Sequence, residues 1–300
     1  MNYKILLNPN ILFNVVLCKI APVISSDKLF LRLQYRLRMG YWIDFKHPQT
    51  FNEKLQWLKL YDHNPEYIKM VDKVEAKKYA ARIIGEEHII PTLAVYDRTE
   101  DIIFDELPNQ FVLKCTHDSG GIVICQDKSK LNIEEAKRKL NKGLKNNYFY
   151  QNREWPYKHV KPRIIAEAYM EDESEFELKD YKFFCFNGVP KFLKVDFGRY
   201  IDHHANYYDM DWNLLPFDEL PYDRVEDKNI LKPIDFNNMI NIAQELSKDI
   251  PFVRIDLYNV KGKIFFGELT FFPASGMAKY NPIEWDYKFG SYINLPRRSN

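Results

Sequence analysis

The residues most suited to chemistry lie in a predicted hairpin near the C-terminus, residues 251–273. A glycine-containing turn joins two apolar runs, and the resulting register pairs Asp256 with Glu268 and Arg254 with Thr270. Because strand side chains alternate between the two faces of a sheet, all four lie on one face. Two carboxylates about 4 Å apart repel each other by roughly 4 kcal/mol at an effective dielectric constant near 20. The pair therefore calls for a cation.

A divalent ion such as Mg²⁺ would meet that need. Magnesium commonly takes one or two carboxylates and completes its octahedron with waters and substrate phosphates. Arg254 offers a planar donor fork that suits phosphate oxygens. The hairpin thus predicts a floor that binds metal and nucleotide, although an edge hairpin with solvated charges fits the hairpin alone equally well.

A second group of candidates surrounds Lys114, which lies within the apolar run 111–115. A lone ammonium there is costly unless it reaches a partner. The following turn, 118–121, reads Asp-Ser-Gly-Gly and can present backbone N–H groups to phosphate. This signal is weak by itself, because a lysine extending along the surface fits the same pattern. The run 167–170, Glu-Ala-Tyr-Met, closes another apolar strand that fits either a core strand or an adenine slot.

Composition limits the classes of function. The chain has 300 residues, 46% hydrophobic and 15% aromatic, which allows a sizeable core and argues against disorder. Its 43 basic and 42 acidic residues leave a net charge of +1, so no overall field attracts nucleic acid and no such partner is expected. The cysteines lack zinc-site or C-x-x-C spacing and indicate reduced core residues: Cys18, Cys115, Cys125 and Cys185.

The N-terminal region is apolar in patches, but Asn8, Pro9, Lys19 and Pro22 interrupt every long apolar run. A spanning helix needs about 20 mostly apolar residues, and a signal peptide needs an unbroken apolar core, so neither is expected. We predict a cytoplasmic protein. Residues 11–43 mix Arg with Leu, Tyr and Trp, which leaves open peripheral contact with the inner face of the membrane. Helices packed on their own domain explain the same pattern more simply.

Capping signals define helices in the first 90 residues, with N-caps at Ser26, Thr50 and Asp72 and stops at Gly40 and Gly85. Strands dominate afterwards, with hairpins at 111–126, around Asn187-Gly188 and at the C-terminal floor. Further predicted segments are a helix at 132–144, a loop at 146–161, a strand at 163–170, a loop at 199–221 and a helix from Asp235 to Ser247. This order predicts an α+β fold.

Taken together, these motifs occur in the order found in the ATP-grasp superfamily, and the chain most closely resembles its TupA-like members of the teichuronopeptide-biosynthesis type. The resemblance covers roughly residues 25–295. The stretches that carry it are PQTFNEKLQWLKLYD, MVDKVEAKKYA, IIPTLAVYD, FVLKCTHDSGG, DYKFFCFNG and ELTFFPASGMAKYNP. It implies an ATP-grasp fold with a helical N-terminal lobe (1–100), a small strand–helix lid (101–170) and a larger C-terminal antiparallel sheet (171–300).

The resemblance also implies a role for each motif. Lys114 would hold the nucleotide phosphates, and Lys182, Arg199 and Arg254 would act on the transferred phosphoryl or acyl group. Further implied cofactor-binding residues are Ser119, Gly120, Gly121, Glu167, Ala168, Tyr169 and Met170. The implied Mg²⁺ ligands are Asp256, Glu268 and Thr270.

Two positions depart from the family pattern. Thr270 stands where asparagine is the usual third metal ligand, and a hydroxyl is the weaker ligand. Asp118 stands in the turn where a glycine is common, which places an acid near phosphate.

The implied reaction is an ATP- and Mg²⁺-dependent ligation in which a carboxylate becomes an acyl phosphate and an amine attacks it. By resemblance, the substrates are a uronic acid of a capsular or other surface polysaccharide and an amine or amino acid. Three alternatives stay open. They are a sugar phosphotransferase, a glycosyltransferase using Asp209-Met210-Asp211, and a polysaccharide-binding module built on Tyr207, Tyr208 and Trp212. The pair His203-His204 lacks a third metal ligand at sensible spacing, so substrate-contacting or solvated loop histidines are expected.

Overall fold

The computed structural model describes residues 9–118, 120–171, 179–197, 203–222, 224–225 and 230–297. Within these ranges, helices precede and separate two antiparallel sheets, so the predicted α+β class is confirmed.

The N-terminal helices begin where the capping residues predict. They are α1 (Pro9–Lys19), α2 (Asp27–Met39), α3 (Phe51–Tyr61), α4 (Glu66–Val71) and α5 (Lys73–Ile84). The Ser26 side chain accepts a hydrogen bond from the first turn of α2, and Thr50 and Glu53 form a reciprocal capping box on α3. The Asp72 carboxylate caps α5 by accepting from two backbone N–H groups.

The smaller sheet has the strand order β1-β4-β2-β3. Its strands are β1 (Thr92–Tyr96), β2 (Phe111–Cys115), β3 (Ile122–Cys125) and β4 (Ile164–Ala168). The helix α6 (Ile133–Leu144) covers one face, where Leu140 packs in a buried cluster with Leu113 and Ala166. Strand alternation therefore turns Lys114 and Glu167 to the opposite face.

The larger sheet has the order β10-β9-β5-β6-β7. Its strands are β5 (Asp180–Phe186), β6 (Val189–Phe197), β7 (His204–Asp209), β9 (Phe252–Val260) and β10 (Lys263–Thr270). A separate pair is formed by β8 (Asp218–Leu220) and β11 (Lys279–Asn281).

Helices cover both faces of the larger sheet. On one face, Phe183 stacks on Phe236 of α8 (Phe236–Ser247) with ring centroids 5.9 Å apart. On the other face, Phe184 contacts Phe51 of α3, and α9 (Glu284–Tyr292) completes that layer. Lys182 shares the face of Phe184, because both positions along β5 are even. On this face of the sheet, the charged residue Lys182 therefore lies next to the aromatic core that contains Phe184 and Phe51.

Three predicted segments differ from the structure. The predicted loop 199–221 contains β7 and β8 within its described part, because Ala205 and the tyrosines of β7 are buried and pair with β6. The predicted loop 146–161 contains a short helix, α7 (Phe149–Asn152), and a 3₁₀ turn at Trp155–His159. Asp235 precedes α8 as predicted, but its side chain accepts no helix N–H group.

The predicted domain boundaries at residues 100/101 and 170/171 stay a prediction. The strand β1 precedes the first boundary and pairs with β4, so the smaller sheet takes one strand from the segment assigned to the helical lobe. In the described ranges, the longest apolar helices fall short of the length and hydropathy needed to cross a membrane.

Candidate functional site

The C-terminal hairpin has the register that the sequence predicts. Asp256 of β9 pairs with Glu268 of β10, and Arg254 pairs with Thr270. A bulge at Gly267 precedes the acidic pair, and a Cβ there would lie 2.9 Å from the carbonyl oxygen of Asp256. Glycine therefore allows the two strands to approach closely beside the carboxylates.

Arg254 supplies the positive charge that the acidic pair requires. Its guanidinium donates two hydrogen bonds of 2.6 Å to the Asp256 carboxylate, one from Nε and one from Nη2. The same Nη2 lies 3.2 Å from Glu268 Oε1 and 3.0 Å from Thr270 Oγ1. The four residues thus form one hydrogen-bonded group, and Arg254 holds it together.

The two carboxylates differ in exposure and in charge environment. The Asp256 side chain is 2% exposed, whereas that of Glu268 is 46% exposed. Burial raises the pKa of Asp256 to about 7, against the opposing effects of Arg254 and Lys182. Burial also acts to raise the pKa of Glu268, but Lys73 and Arg254 outweigh it and the net shift is downward. Glu268 is therefore the carboxylate that stays charged and accessible.

Lys182 lies on the same face, on β5 directly opposite Asp256. Its ammonium contacts Asp180 at 2.8 Å and Asp196 at 2.5 Å. Burial acts to lower the pKa of Lys182, but Asp180, Asp256 and Asp196 raise it, and the net shift is upward. Lys182 is therefore a charged member of a buried network that adjoins the hairpin. Arg199, also predicted to be catalytic, lies outside the described residues.

Lys114 has found a buried partner, as the sequence argument requires. Its Nζ lies 2.6 Å from Glu167 Oε2, and the other carboxylate oxygen lies 2.5 Å from Nζ of Lys77 on α5. Burial acts to raise the pKa of Glu167, but the two lysines outweigh it and lower that pKa. The Glu167 side chain thus positions two ammonium groups, a role that the sequence analysis did not predict.

The remaining predicted adenine residues lie at and just beyond the end of β4. The Ala168 N–H donates to the Pro91 carbonyl oxygen at 3.0 Å, so the ladder extends to that residue. Tyr169 and Met170 follow the strand and are partly exposed, and the Tyr169 hydroxyl accepts from Gln126 at 2.6 Å. The structure brings this segment and Lys114 together on neighbouring strands.

The predicted phosphate turn is held against α6. A Cβ at Gly121 would lie 2.6 Å from Cys115 Sγ, so packing alone requires glycine there. The Gly120 N–H donates to the Asp118 carboxylate at 3.2 Å, which is an Asx-type turn. Asp118 therefore has a local structural role, and Ser119 lies outside the described residues.

Lys73, at the start of α5, is a further site residue that sequence reasoning missed. Its Nζ donates to the carbonyl oxygen of Asp118 at 2.8 Å, and its charge acts on Glu268. Lys73 and Lys77 are spaced i, i+4, which places both on one face of α5. That spacing is the signal that could have found them, once the helix was known to face the sheets.

The turn, the hairpin and Lys73 enclose a cavity of about 180 Å³. Arg254, Glu268 and Thr270 line one side of it, and Lys73 and Asp118 line another. The predicted phosphate turn and the predicted metal ligands therefore open onto the same space.

The donor set fits a hard, oxygen-loving cation. Asp256, Glu268 and Thr270 offer two carboxylates and a hydroxyl, and magnesium uses few protein ligands when substrate phosphates complete its shell. Within the described part of the chain, no group of three or more His, Cys, Asp or Glu side chains is arranged to hold a metal by itself. Such a site would accordingly depend on oxygens from a substrate.

The alternative motifs have structural roles. Asp209 accepts hydrogen bonds from the backbone N–H groups of Asp211 and Asn213, so this acidic motif closes a turn. Tyr207 is 1% exposed and donates to Glu219, while Trp212 packs on Phe236. The burial of Tyr207 and Tyr208 argues against a surface platform for polysaccharide built on these aromatic residues.

The predicted histidine pair is divided between two contacts. His203 Nε2 lies 3.0 Å from Asp196 Oδ1, and His204 stacks on Phe197 with centroids 5.8 Å apart. The described contacts favour structural roles for both.

Comparison with known proteins identifies a family that matches most of the chain. The model of the family described as "TupA-like ATPgrasp" matches residues 53–294. Comparison with curated proteins gives no match.

Solved structures resemble the chain at low identity. D-alanine–D-alanine ligase from Bacillus anthracis, complexed with ATP, is 15% identical with a TM-score of 0.39, covering 67% of this chain and 53% of the ligase. The corresponding ligase from Helicobacter pylori is 11% identical with a TM-score of 0.43, covering 81% of this chain and 69% of the ligase. The chain thus spans about half the length of the first ligase.

Proposed function

Because the chain belongs to the TupA-like ATP-grasp family, we propose that it is an ATP-dependent carboxylate–amine ligase. The observation that carries this proposal is the single charged face on which Arg254, Asp256, Glu268 and Thr270 meet beside a cavity that also receives Lys73. Such a face concentrates charges where a triphosphate and a cation would be bound together.

The reaction needs charge neutralisation more than a covalent enzyme group. A carboxylate oxygen attacks the γ-phosphorus of ATP, the bond to ADP breaks, and an acyl phosphate forms. An amine nitrogen then attacks the acyl carbon, the bond to phosphate breaks, and inorganic phosphate and a proton leave with the amide formed. Cationic side chains that are already in place lower the barrier because they need no rearrangement as charge develops.

We assign the nucleotide phosphates to Lys114 and the turn containing Gly120 and Gly121, and the adenine ring to the end of β4. Lys77 and Glu167 orient Lys114 through their ion pairs. When bound, Mg²⁺ neutralises phosphate charge, and the residues that would hold it are Asp256 and Glu268, with Thr270 beside them.

Arg254 and Lys182 are assigned to the transferred phosphoryl and acyl groups. The position of Arg254 supports this role, because its guanidinium already donates hydrogen bonds to Asp256 on β9 and to Glu268 on β10. Lys182 supports it through its place opposite Asp256 on the central strand. Arg199 keeps its predicted role, and the smaller sheet with α6 is proposed as the lid that excludes water from the acyl phosphate.

The substrates follow from family resemblance. We propose that the carboxylate belongs to a uronic acid of a surface-polysaccharide intermediate and that the amine is an amino acid or small amine. A sugar phosphotransferase would use the same nucleotide site but would stop at a phosphorylated sugar.

We also propose that the protein works in the cytoplasm, with peripheral contact at the inner face of the membrane. The α1 helix leaves apolar side chains such as Leu12, Phe13 and Val16 about half exposed. Trp42 is 53% exposed beneath the guanidinium groups of Arg32 and Arg36. Exposed apolar side chains beside basic residues favour anionic lipid. Sedimentation with vesicles of phosphatidylglycerol, but not of phosphatidylcholine, would support this contact, and absence from both pellets would contradict it.

A hydroxylamine trap tests the ligase reaction. The protein is incubated with ATP, Mg²⁺, glucuronic acid and hydroxylamine, and hydroxamate and ADP are measured. Stoichiometric formation of both supports an acyl phosphate, whereas a phosphorylated sugar without hydroxamate supports the phosphotransferase. Glu268→Gln should abolish ADP release, while Glu245→Gln, on the exposed side of α8, should not. Wild-type turnover by Glu268→Gln would remove the proposed site.

A further inference from the structure

The 180 Å³ cavity has a second wall, opposite the predicted metal ligands. This wall is formed by Tyr148, Glu154, Tyr157 and Ser275, which come from the segment before β4 and from the turn after β10. None of these residues has a role in the nucleotide chemistry described above. The wall combines one acidic group with hydroxyls and aromatic rings.

Glu154 is the acidic group of this wall and is only 3% exposed. Its Oε1 accepts a hydrogen bond of 2.7 Å from the Ser275 hydroxyl. The charges of Lys59 and Arg38 act to lower the pKa of Glu154, but burial raises it more and the net shift is upward. A buried carboxylate in this position is stabilised by a cation that enters the cavity.

Ser275 lies in a turn whose backbone conformation is unfavourable for non-glycine residues. Ala274 and Ser275 have φ values of 48° and 56°, which non-glycine residues rarely adopt, and Gly276 follows with φ 60°. Non-glycine residues in this region of backbone conformation are strained and persist only when neighbouring contacts fix them. Such strain is concentrated at ligand sites.

Two side chains of α3 supply those contacts. Gln56 Nε2 donates to the carbonyl oxygens of Ser275 and Gly276 at 2.9 and 2.7 Å. Lys59 Nζ donates to the carbonyl oxygens of Asn152 and Ser275, both at 2.9 Å. Lys59 therefore ties the segment that carries Glu154 to the turn that carries Ser275. The position of the wall is therefore fixed by hydrogen bonds from Gln56 and Lys59 of α3.

We propose that Glu154 and Ser275 form the binding site for the amine substrate, which they recognise as a small primary ammonium group. Glu154 supplies the counter-charge, and the rings of Tyr148 and Tyr157, which pack against each other with centroids 5.0 Å apart, line the cavity beside it. The cavity of about 180 Å³ has room for a small amine or for the end of a larger one. The inference rests on the proposed ligase function, because it places the amine in the cavity that Glu268 and Thr270 also line.

Binding without nucleotide tests the site separately from the reaction. The probes are ethanolamine and ethylene glycol, which have the same number of non-hydrogen atoms but differ in charge. Ligand-observed NMR titrations of the full chain at pH 7.5 measure their dissociation constants. Wild type should bind ethanolamine in the millimolar range and ethylene glycol at least tenfold more weakly. Glu154→Gln should weaken ethanolamine binding at least tenfold, and Ser275→Ala about threefold, because it removes one hydrogen bond. Glu245→Gln is the matched control and should bind as wild type does.

The results separate the site from the reaction. Equal affinity for the two probes, or ethanolamine affinity within twofold of wild type in Glu154→Gln, overturns the inference. If Glu154→Gln fails to fold by circular dichroism, Ser275→Ala decides, and unchanged affinity there overturns the inference as well. A wild type that forms hydroxamate but does not bind ethanolamine refutes this site alone. A wild type that binds ethanolamine through Glu154 but forms no hydroxamate supports the site and refutes the ligase reaction.

Discussion

Glu167→Gln should destabilise the protein although it changes only one charge. The two carboxylate oxygens lie 2.5 Å from Lys77 Nζ and 2.6 Å from Lys114 Nζ, with the Glu167 and Lys77 side chains 6% and 8% exposed. Each pair gains about 6 kcal/mol of Coulomb energy at an effective dielectric constant of 20, much of which offsets lost hydration. Removing one partner of a buried pair costs about 3–5 kcal/mol. Because glutamine keeps one acceptor oxygen, we expect a loss of about 3 kcal/mol in the free energy of unfolding.

Urea denaturation followed by tryptophan fluorescence measures this loss. The control Glu245→Gln should stay within about 0.5 kcal/mol of wild type, because its side chain is exposed. Adding Lys77→Met to Glu167→Gln should restore part of the loss, with a coupling energy of about 0.5–3 kcal/mol. A loss below about 1 kcal/mol in Glu167→Gln would refute the reasoning, since it would mean that water already solvates the lysines.

Three further outcomes are expected. Gly121→Ala should lower the free energy of unfolding by about 1–3 kcal/mol, because its Cβ would lie 2.6 Å from Cys115 Sγ. In Gly120→Ala, by contrast, the added Cβ would approach no atom closer than 3.8 Å. Equal thermal midpoints for the two variants would contradict this prediction. Thr270→Asn should lower the Mg²⁺ concentration that gives half-maximal ADP release, because an amide oxygen is the better ligand; an unchanged Mg²⁺ requirement would contradict the assigned metal site. Burial raises the pKa of Asp286 from 3.8 to about 6 in the folded protein. Because the folded state then holds this proton more tightly than the unfolded state, protonation of Asp286 stabilises the fold fully below pH 3.8, and this stabilisation is lost as pH rises through 6. The unfolding free energy of wild type relative to Asp286→Asn should therefore fall by roughly 3 kcal/mol between pH 4 and 7 in urea titrations, and a constant difference would rule this out.

Helix starts could be predicted from the sequence because capping is a short-range interaction. Ser26, Thr50 and Asp72 each bond to backbone groups within three residues, and those bonds are present as predicted. The strand β7 was missed for the opposite reason. Residues such as Tyr207 are buried by β6 and by distant aromatic side chains, and nothing local in the sequence marks that burial. The family resemblance and the ATP-grasp assignment are confirmed.

The candidate site shows the same contrast between local interactions, which could be predicted, and long-range contacts, which could not. The pairing of Asp256 with Glu268 could be predicted because a tight turn and a period of two fix the register. Sequence reasoning asked for a cation between them and placed Arg254 on the same face, but it did not assign that place to Arg254, because the register does not fix the rotamer of a long side chain. Lys73 and Lys77 were missed because they reach the sheets from another lobe. The roles of the individual site residues and the domain boundaries stay predictions.

The ion pair between α5 and β4 has a consequence for modular exchange. A fragment starting after residue 90 would keep all the described strands of both sheets but lose Lys73 and Lys77, which leaves Glu167 with Lys114 alone of its two lysine partners. Transplanting the two sheets onto a different leader would thus break the charge balance of the cleft. The helix α5 and the smaller sheet therefore depend on each other for the charge balance at Glu167.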